Sequence, residues 1–229
     1  LLGGMARVFG RVDQPYLSEW HQLNRFLFPS VSLRNSYVFG IQTEAYWNMN
    51  EQTRVYSGML FNRWNRYGMM GPRLWESGEV GNITGSDQSL FYTLSYAEAN
   101  RFTFYVGART SVLSDKLIGD IQANFSTPKL STGADIPFEE SFTTEASLMF
   151  KPSPKFRTSL RALVIGPRTN QQAEELKGFL LLNARAEYSM NDRFGVYMTL
   201  NNLLSQSYVW WQGYQEPPLH FFGGLNFQL

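Results

Sequence analysis

The residues that could perform catalysis or bind a metal are few and stand far apart in this sequence. Its 229 residues include no cysteine, and the two histidines are His21 and His220. A chain without cysteine can form neither a disulfide nor a thiolate metal site, and a histidine-based site would need both imidazoles. We therefore predict no catalytic residue, no metal site and no cofactor.

The alternative to a chain without catalytic residues is one of two enzyme classes built on β-barrels. One is a phospholipase with Ser, His and Asn, and the other is a protease with paired acidic residues and His. His220 is in phase with Asn226 on the predicted polar side of a strand, whereas the phospholipase triad lies on the lipid-facing exterior. We interpret His220 as a polar side chain without a catalytic role. The pair Gly223-Gly224 also lies within a predicted strand, so it indicates close packing or a bend and not a phosphate loop.

Aromatic residues are the strongest candidates for contact with a ligand. They make up 16% of the chain, and several stand in segments between predicted strands. The candidate ligand-contacting residues are Trp20, Trp75, Tyr208, Trp210, Trp211 and Tyr214. Such rings offer a stacking surface for a ligand or a partner protein. The alternative is that they form an aromatic belt and pack the loops against each other.

The elements that must position these rings are β-strands, because hydrophobicity alternates with a period of two over long segments. In 31–49 the odd positions are mostly apolar and the even positions mostly polar, and 155–166 and 177–189 repeat the alternation. The predicted strands are 1–12, 31–49, 52–66, 88–112, 116–126, 141–150, 155–166, 177–189, 193–203 and 218–229. They cover about 61% of the chain, against roughly 20–25% strand in an ordinary domain, which favours a barrel.

The connections between the predicted strands alternate in length without exception. Short connections of two to four residues alternate with long ones of 10 to 21 residues. This alternation is typical of an antiparallel up-and-down transmembrane β-barrel, with tight turns at one end and long loops at the other. Mean hydropathy is −0.28, and no apolar run approaches the roughly 18 residues of a membrane helix, so a helical membrane bundle is excluded.

A soluble β-sandwich is an alternative fold, since its strands alternate too. Charges in the middle of the predicted strands argue against it, because a dry interior penalises them and a wet lumen does not. The arginines predicted to face the lumen are Arg34, Arg109, Arg157, Arg161 and Arg185. Acidic residues share their face, so we expect mutual pairing and not the steering of an anionic solute. A net charge of +1 gives no indication of a nucleic-acid partner.

The C-terminal segment carries a characteristic order of motifs. The run 197–204 (YMTLNNLL) ends a predicted strand, the loop 208–214 contains two tyrosines and two tryptophans, and the run 222–229 (FGGLNFQL) closes the chain. This order resembles the C-terminal end of TonB-dependent outer-membrane receptors, especially those of Bacteroidota. The hairpin at 188–194 is similar to the family's usual hairpin. The family's chains usually end in an aromatic residue, whereas this one ends in Leu229.

The resemblance implies that 1–229 is one domain, the C-terminal portion of a barrel of about 22 strands, with the plug domain absent. It implies a Gram-negative outer-membrane location and import of a bulky nutrient such as a siderophore, cofactor or glycan. The implied partners are outer-membrane lipid, the remaining barrel strands, the plug domain, the TonB complex acting through that plug, and a surface lipoprotein. The alternative is a self-contained ten-stranded barrel, acting as a small porin-like pore, a structural anchor or a binding protein. Its lumen would be filled by large residues such as Phe9, Phe91, Tyr105 and Tyr197.

Overall fold

The computed structural model describes residues 1–13, 34–73, 91–170, 173–191, 193–211 and 214–227, and their regular structure is entirely β-strand. Ten strands make the main sheet: β1 (Leu2–Asp13), β2 (Ser36–Asn48), β3 (Thr53–Arg73), β4 (Phe91–Val112), β5 (Leu117–Leu130), β6 (Phe142–Ser153), β7 (Phe156–Ile165), β10 (Phe179–Ser189), β11 (Phe194–Asn201) and β14 (His220–Phe227). Four short strands lie in the connections: β8 (Arg168–Thr169), β9 (Glu175–Leu176), β12 (Val209–Trp211) and β13 (Tyr214–Gln215). None of the described residues belongs to a helix long and apolar enough to cross a membrane.

The main sheet is an antiparallel meander in which each strand pairs with the main-sheet strand that precedes it in the chain. The order is β1-β2-β3-β4-β5-β6-β7-β10-β11-β14. The short strands form two separate hairpins, β8 with β9 and β12 with β13. Within the described residues β1 and β14 are the sheet's two edges, and no pairing joins them. The predicted all-β, up-and-down topology is therefore confirmed.

The two faces of the sheet differ in chemistry as the alternation predicts. In β2, Phe39, Ile41 and Trp47 point to one side and are 47%, 42% and 50% exposed, whereas Val38 on the other side is 3% exposed. The exposed apolar side of β2 continues onto the neighbouring strands, because Ile41 lies between Val8 of β1 and Phe61 of β3. We call this side the apolar face and the opposite side, with most of the charged residues, the polar face.

The ten predicted strands agree in number and order with the ten strands of the main sheet and differ from them at their ends; the short strands β8, β9, β12 and β13 are not predicted. The prediction ends the third strand at 66, but β3 continues to Arg73. A bulge between Trp64 and Tyr67 reverses the phase of the alternation, so the sequence pattern does not continue past it. The fifth strand runs to Leu130 and not to 126, passing through Pro128. The predicted strand 88–112 is confirmed as one uninterrupted strand from Phe91; residues 88–90 lie outside the described residues.

Five glycines of the main sheet lie beneath aromatic rings of their direct cross-strand partners. The pairs are Gly3 with Tyr46, Gly40 with Phe9, Gly58 with Tyr105, Gly107 with Tyr56 and Gly224 with Tyr197. At Gly224, for example, an added Cβ would lie 2.5 Å from the ring of Tyr197. A ring that covers a strand glycine supplies the packing that the glycine lacks. The large residues Phe9, Tyr105 and Tyr197 therefore lie against the sheet and do not project from it.

Candidate functional site

The middle of the polar face carries charged side chains that pair with each other. Arg161 of β7 and Glu145 of β6 form a two-contact ion pair, with Nε to Oε1 and Nη2 to Oε2 both at 2.9 Å. Glu187 lies 2.6 Å from Arg185 and 3.7 Å from Arg157. These contacts confirm the expected mutual pairing for three of the five predicted lumenal arginines. We call this part of the polar face, between the short turns and the long connections, the wall.

On β2 to β6 tyrosine hydroxyls and glutamine amides make hydrogen bonds along the wall. The Tyr105 hydroxyl donates to a carboxylate oxygen of Glu44 at 2.9 Å and accepts from the Gln42 amide at 3.1 Å. Farther along the sheet, the Tyr56 hydroxyl donates to the Gln122 side chain at 3.1 Å. A wall made of hydroxyl, amide and partly exposed charged groups is suited to contact with water or with a polar occupant.

At the end of the sheet with the long connections, residues 131–141 fold onto the polar face. Ile136 packs with Val38, Trp64 and Ala99 in a buried cluster. Nearby, Glu139 accepts hydrogen bonds from the Tyr67 hydroxyl and the Arg101 guanidinium. This connection is therefore anchored by both apolar burial and an ion pair. We call this end of the polar face, with the connections 131–141, 166–178 and 202–219, the mouth.

Arg168 joins two connections of the mouth. It lies in 166–178, is only 3% exposed, and donates to the backbone carbonyls of Val209 at 2.8 Å and Trp210 at 3.3 Å. Its guanidinium carbon also lies 5.3 Å from the ring centre of Phe179 and 5.5 Å from that of Trp210. Burial lowers the pKa of Arg168, while the charge of Glu140 raises it. At ordinary pH the side chain remains a cation, stabilised by backbone carbonyl oxygens and aromatic ring faces.

Asn202 holds the two ends of the connection 202–219 together. It is 1% exposed and has a left-handed backbone, with φ of 53°. Its side-chain amide donates to the carbonyls of Gln206 at 2.8 Å and Pro217 at 3.2 Å, and its side-chain oxygen accepts from the Gln206 N–H at 3.0 Å. Its own N–H donates to the Asn183 side chain on β10 at 2.9 Å. Asparagine suits this position because it tolerates the left-handed region and both donates and accepts.

Two of the six candidate ligand-contacting residues lie together in the mouth. Tyr208 and Trp210 pack on Phe179, with ring centres 4.7 and 4.9 Å from that of Phe179. Both remain partly exposed. Burial and the charge of Glu216 raise the pKa of Tyr208, which therefore stays a neutral phenol.

The other four candidates are less completely described. Trp211 lies on β12 and Tyr214 on β13, where the structure describes the backbone, while Trp20 and Trp75 lie outside the described residues. Ligand contact by the six thus stays a prediction.

Sequence reasoning missed the residues that organise the mouth. Arg168 follows a strand as an isolated charge, and nothing in its neighbours signals burial. Asn202 belongs to the motif that carried the family resemblance, but its role as a link between two ends of a loop needs the fold. His220 has its Nε2 3.3 Å from the Asn201 amide and its Nδ1 2.9 Å from the Pro218 carbonyl oxygen. Among the residues that the structure describes, no group of three or more His, Asp or Glu is placed to hold a metal ion.

Comparisons with solved structures find outer-membrane receptors and transporters. One is a mutant of the ferric enterobactin receptor PfeA from Pseudomonas aeruginosa in complex with enterobactin, with a TM-score of 0.63 and 12% identity over 99% of this chain and 38% of that chain. The copper transporter OprC matches with a TM-score of 0.62 and 12% identity over 99% of this chain and 38% of that chain. The FrpB iron transporter from Neisseria meningitidis gives 0.59 and 11% identity over 99% of this chain and 37% of that one. No protein-family model and no curated protein matches.

These likenesses are at the level of fold, since sequence identity is low. The chain spans only 37–38% of the length of the chains in these three structures. Nearly all of this chain takes part in each match, so the whole ten-stranded sheet has a counterpart in them. The chain therefore has the fold of part of the β-barrel of TonB-dependent outer-membrane receptors, as its C-terminal motifs indicated.

Proposed function

We propose that this chain forms the C-terminal barrel wall and extracellular mouth of a TonB-dependent receptor that imports a bulky nutrient across the outer membrane. The observation that carries the proposal is a ten-stranded sheet with an exposed apolar face and, within the described residues, two unpaired edges. Apolar side chains on this face, such as Val8, Ile41 and Leu160, are exposed. Exposure of these side chains is unfavourable in water and favourable against acyl chains. The apolar face thus meets outer-membrane lipid, and the polar face encloses a lumen.

The two edges require further strands. In lipid every backbone polar group needs a partner within the protein, so an open edge is strongly unfavourable. Remaining barrel strands pairing with β1 and β14 would satisfy both edges. A plug domain then occupies the lumen against the wall, the TonB complex acts through that plug, and a surface lipoprotein can cover the mouth.

The solute would be contacted at the mouth, where Tyr208 and Trp210 lie. All six aromatic candidates are proposed to contact it: Trp20, Trp75, Tyr208, Trp210, Trp211 and Tyr214. For Tyr208 and Trp210 this role is supported by their fixed position on Phe179 and by their partial exposure. A siderophore, a cofactor or a glycan suits such a surface, because each offers flat or ring-shaped groups for stacking.

The alternative, a self-contained ten-stranded barrel, requires β1 and β14 to pair. It is less favoured, because Phe9, Tyr105 and Tyr197 lie over glycines of the sheet and do not fill a lumen; the Phe91 side chain is outside the described residues. Disulfide trapping separates the two. The chain has no cysteine, so Val8→Cys on β1 can be combined, in separate variants, with Phe221→Cys, Gly223→Cys, Leu225→Cys or Phe227→Cys on β14.

These variants are made in the complete protein in outer membranes, with the β1–β2 register pair Ala6→Cys and Thr43→Cys as the positive control. A disulfide needs Cα atoms within roughly 7 Å. The receptor proposal expects the control to cross-link and all edge pairs to remain reduced. An edge pair that cross-links within one molecule establishes the small barrel and contradicts the proposal.

Transport itself is tested by growth of the source bacterium with the gene deleted. Wild type and deletion strain are compared on ferric siderophores, cobalamin and oligosaccharides, each supplied as the limiting nutrient. We expect loss of growth on one nutrient and rescue by the wild-type gene but not by a Trp211→Ala, Tyr214→Ala double variant present at equal level in the outer membrane. Equal growth of the two strains on every nutrient contradicts import of these classes.

A further inference from the structure

Two arginines lie directly opposite each other on the polar face, close to the short turns. Arg54 on β3 and Arg109 on β4 are register partners, and both are exposed. Direct cross-strand partners have Cβ atoms about 4.5–5.5 Å apart, a spacing at which like charges repel. Asp120 on β5, the other register partner of Arg109, offsets part of this repulsion, and an anion between the two guanidinium groups would offset more of it.

The guanidinium of Arg54 is held in a fixed position by two contacts. Its Nε donates to the Asn48 side-chain oxygen at 2.9 Å, and its central carbon lies 4.6 Å from the ring centre of Tyr46. Tyr46 is itself fixed, because its ring covers Gly3. Neither contact uses the two terminal amino groups of the guanidinium. An arginine fixed in this way presents paired N–H donors that match a planar or tetrahedral oxyanion.

Three other arginines of the wall have carboxylate partners, whereas Arg54 and Arg109 have none within the described residues. Arg157, Arg161 and Arg185 all form ion pairs within 4.0 Å. Within the described part of the chain no carboxylate forms such a pair with Arg54 or Arg109. Asp120, the register partner of Arg109 on β5, also forms no ion pair with it within 4.0 Å. Arg7 of β1 shares this face and also has no ion pair within the described residues, but its register partner is Gln42, whereas Arg54 and Arg109 are partners of each other.

We propose that Arg54 and Arg109 form an oxyanion-binding site on the polar face, specific for a carboxylate or phosphate group. The oxyanion has two conceivable sources, an acidic side chain of the protein segment that fills the lumen or a dissolved anion. The site does not depend on the transport proposal, because any enclosed lumen would present it. It lies at the end of the sheet opposite the mouth, away from Tyr208 and Trp210.

The site is tested on the complete protein purified in detergent, by thermal unfolding in sodium phosphate against sodium chloride at equal ionic strength. The variants are Arg109→Gln, which removes a side chain without a described contact, and Arg54→Gln. Arg161→Gln is the matched control, because it neutralises an arginine of the same face that already has a carboxylate partner. A ligand that binds only the folded state raises Tm with its concentration.

If the site is open to solutes, phosphate raises the Tm of the wild type and of Arg161→Gln, and the shift disappears in Arg54→Gln and Arg109→Gln. If a protein carboxylate already occupies it, phosphate has no effect on the wild type and Arg109→Gln lowers the Tm. A phosphate shift that survives in Arg109→Gln overturns the proposal. Absence of a phosphate shift together with an unchanged Tm of Arg109→Gln overturns it too. No result depends on uptake, so failure of transport and failure of this site are distinguishable.

Discussion

The mouth and the wall belong to the same polar face but are built in different ways. At the mouth, polar residues are buried and make several specific hydrogen bonds, as Asn202 and Arg168 do at 1% and 3% exposure. On the wall, charged residues stay largely in solvent, and the side chain of Arg161 is 57% exposed in its ion pair. Burial makes each polar contact harder to lose, because an orphaned buried group costs more than an exposed one.

The difference separates two tasks. The mouth needs long connections in a defined arrangement, and burial with exact partners provides that. The wall is already held by the β-ladder, so its side chains are available for an occupant of the lumen. Single substitutions should therefore be more disruptive at the mouth than on the wall, unless they alter the packing of the ladder itself.

The largest effect is expected for Asn202→Ala. It removes two donated hydrogen bonds and one accepted bond and puts alanine at a φ of 53°. We expect a loss of about 2–4 kcal/mol in the stability of the connection 202–219, seen as faster hydrogen exchange there. The control is Asn201→Ala, whose side chain makes one hydrogen bond within the described residues, to His220 at 3.3 Å. An equal or larger effect of the control would remove the special role of Asn202.

Arg168→Met is expected to follow. It keeps much of the side-chain volume but leaves the carbonyls of Val209 and Trp210 without their donor. A loss of about 1–3 kcal/mol is expected, and limited proteolysis should cut 166–178 or 202–219 faster. Arg157→Met on the wall, where the ion pair is 3.7 Å long and the arginine side chain 53% exposed, should leave proteolysis unchanged. Equal sensitivity of both variants would contradict the distinction between mouth and wall.

The wall has its own sensitive positions, where the constraint is steric. An added Cβ at Gly224 meets the Tyr197 ring at 2.5 Å, whereas at neighbouring Gly223 its nearest contact is 3.6 Å. Gly224→Ala should lower the free energy of unfolding by about 1–3 kcal/mol through overpacking, and Gly223→Ala should have little effect. Urea unfolding in detergent or lipid compares them. Similar values for the two would mean that Tyr197 moves without penalty.

The smallest effect is expected for Arg161→Gln. Both partners of its ion pair with Glu145 are about half exposed, so the loss should be below about 1 kcal/mol and should shrink as salt is added. Urea unfolding at low and high ionic strength measures it. A salt-independent loss above about 2 kcal/mol would show that the wall is as tightly coupled as the mouth.

The sequence was sufficient to predict the sheet but not the mouth. Alternation of period two identifies a strand and its two faces, because the pleat is a local property, and 177–189 was recognised on that basis as β10. The bulge after Trp64 breaks the local pattern, so the alternation does not predict residues 67–73 of β3. The packing of Ile136 against Val38 and Trp64 joins residues far apart in the chain, and no local pattern reports it. Tyr208 and Trp210 were recognised as aromatic candidates, but their support by Phe179 and Arg168 depends on two loops meeting.

The central claim is that the apolar face contacts lipid and the polar face lines a lumen. Single cysteines at residues 182–187 of β10, in the complete protein in outer-membrane vesicles, test it directly, because the chain has no cysteine of its own. A spin label at each site is probed by collision with lipid-soluble oxygen and with a water-soluble nickel chelate. We expect strict alternation, with positions 182, 184 and 186 accessible to oxygen and positions 183, 185 and 187 accessible to the chelate. Uniform accessibility, or alternation in the opposite phase, would contradict it.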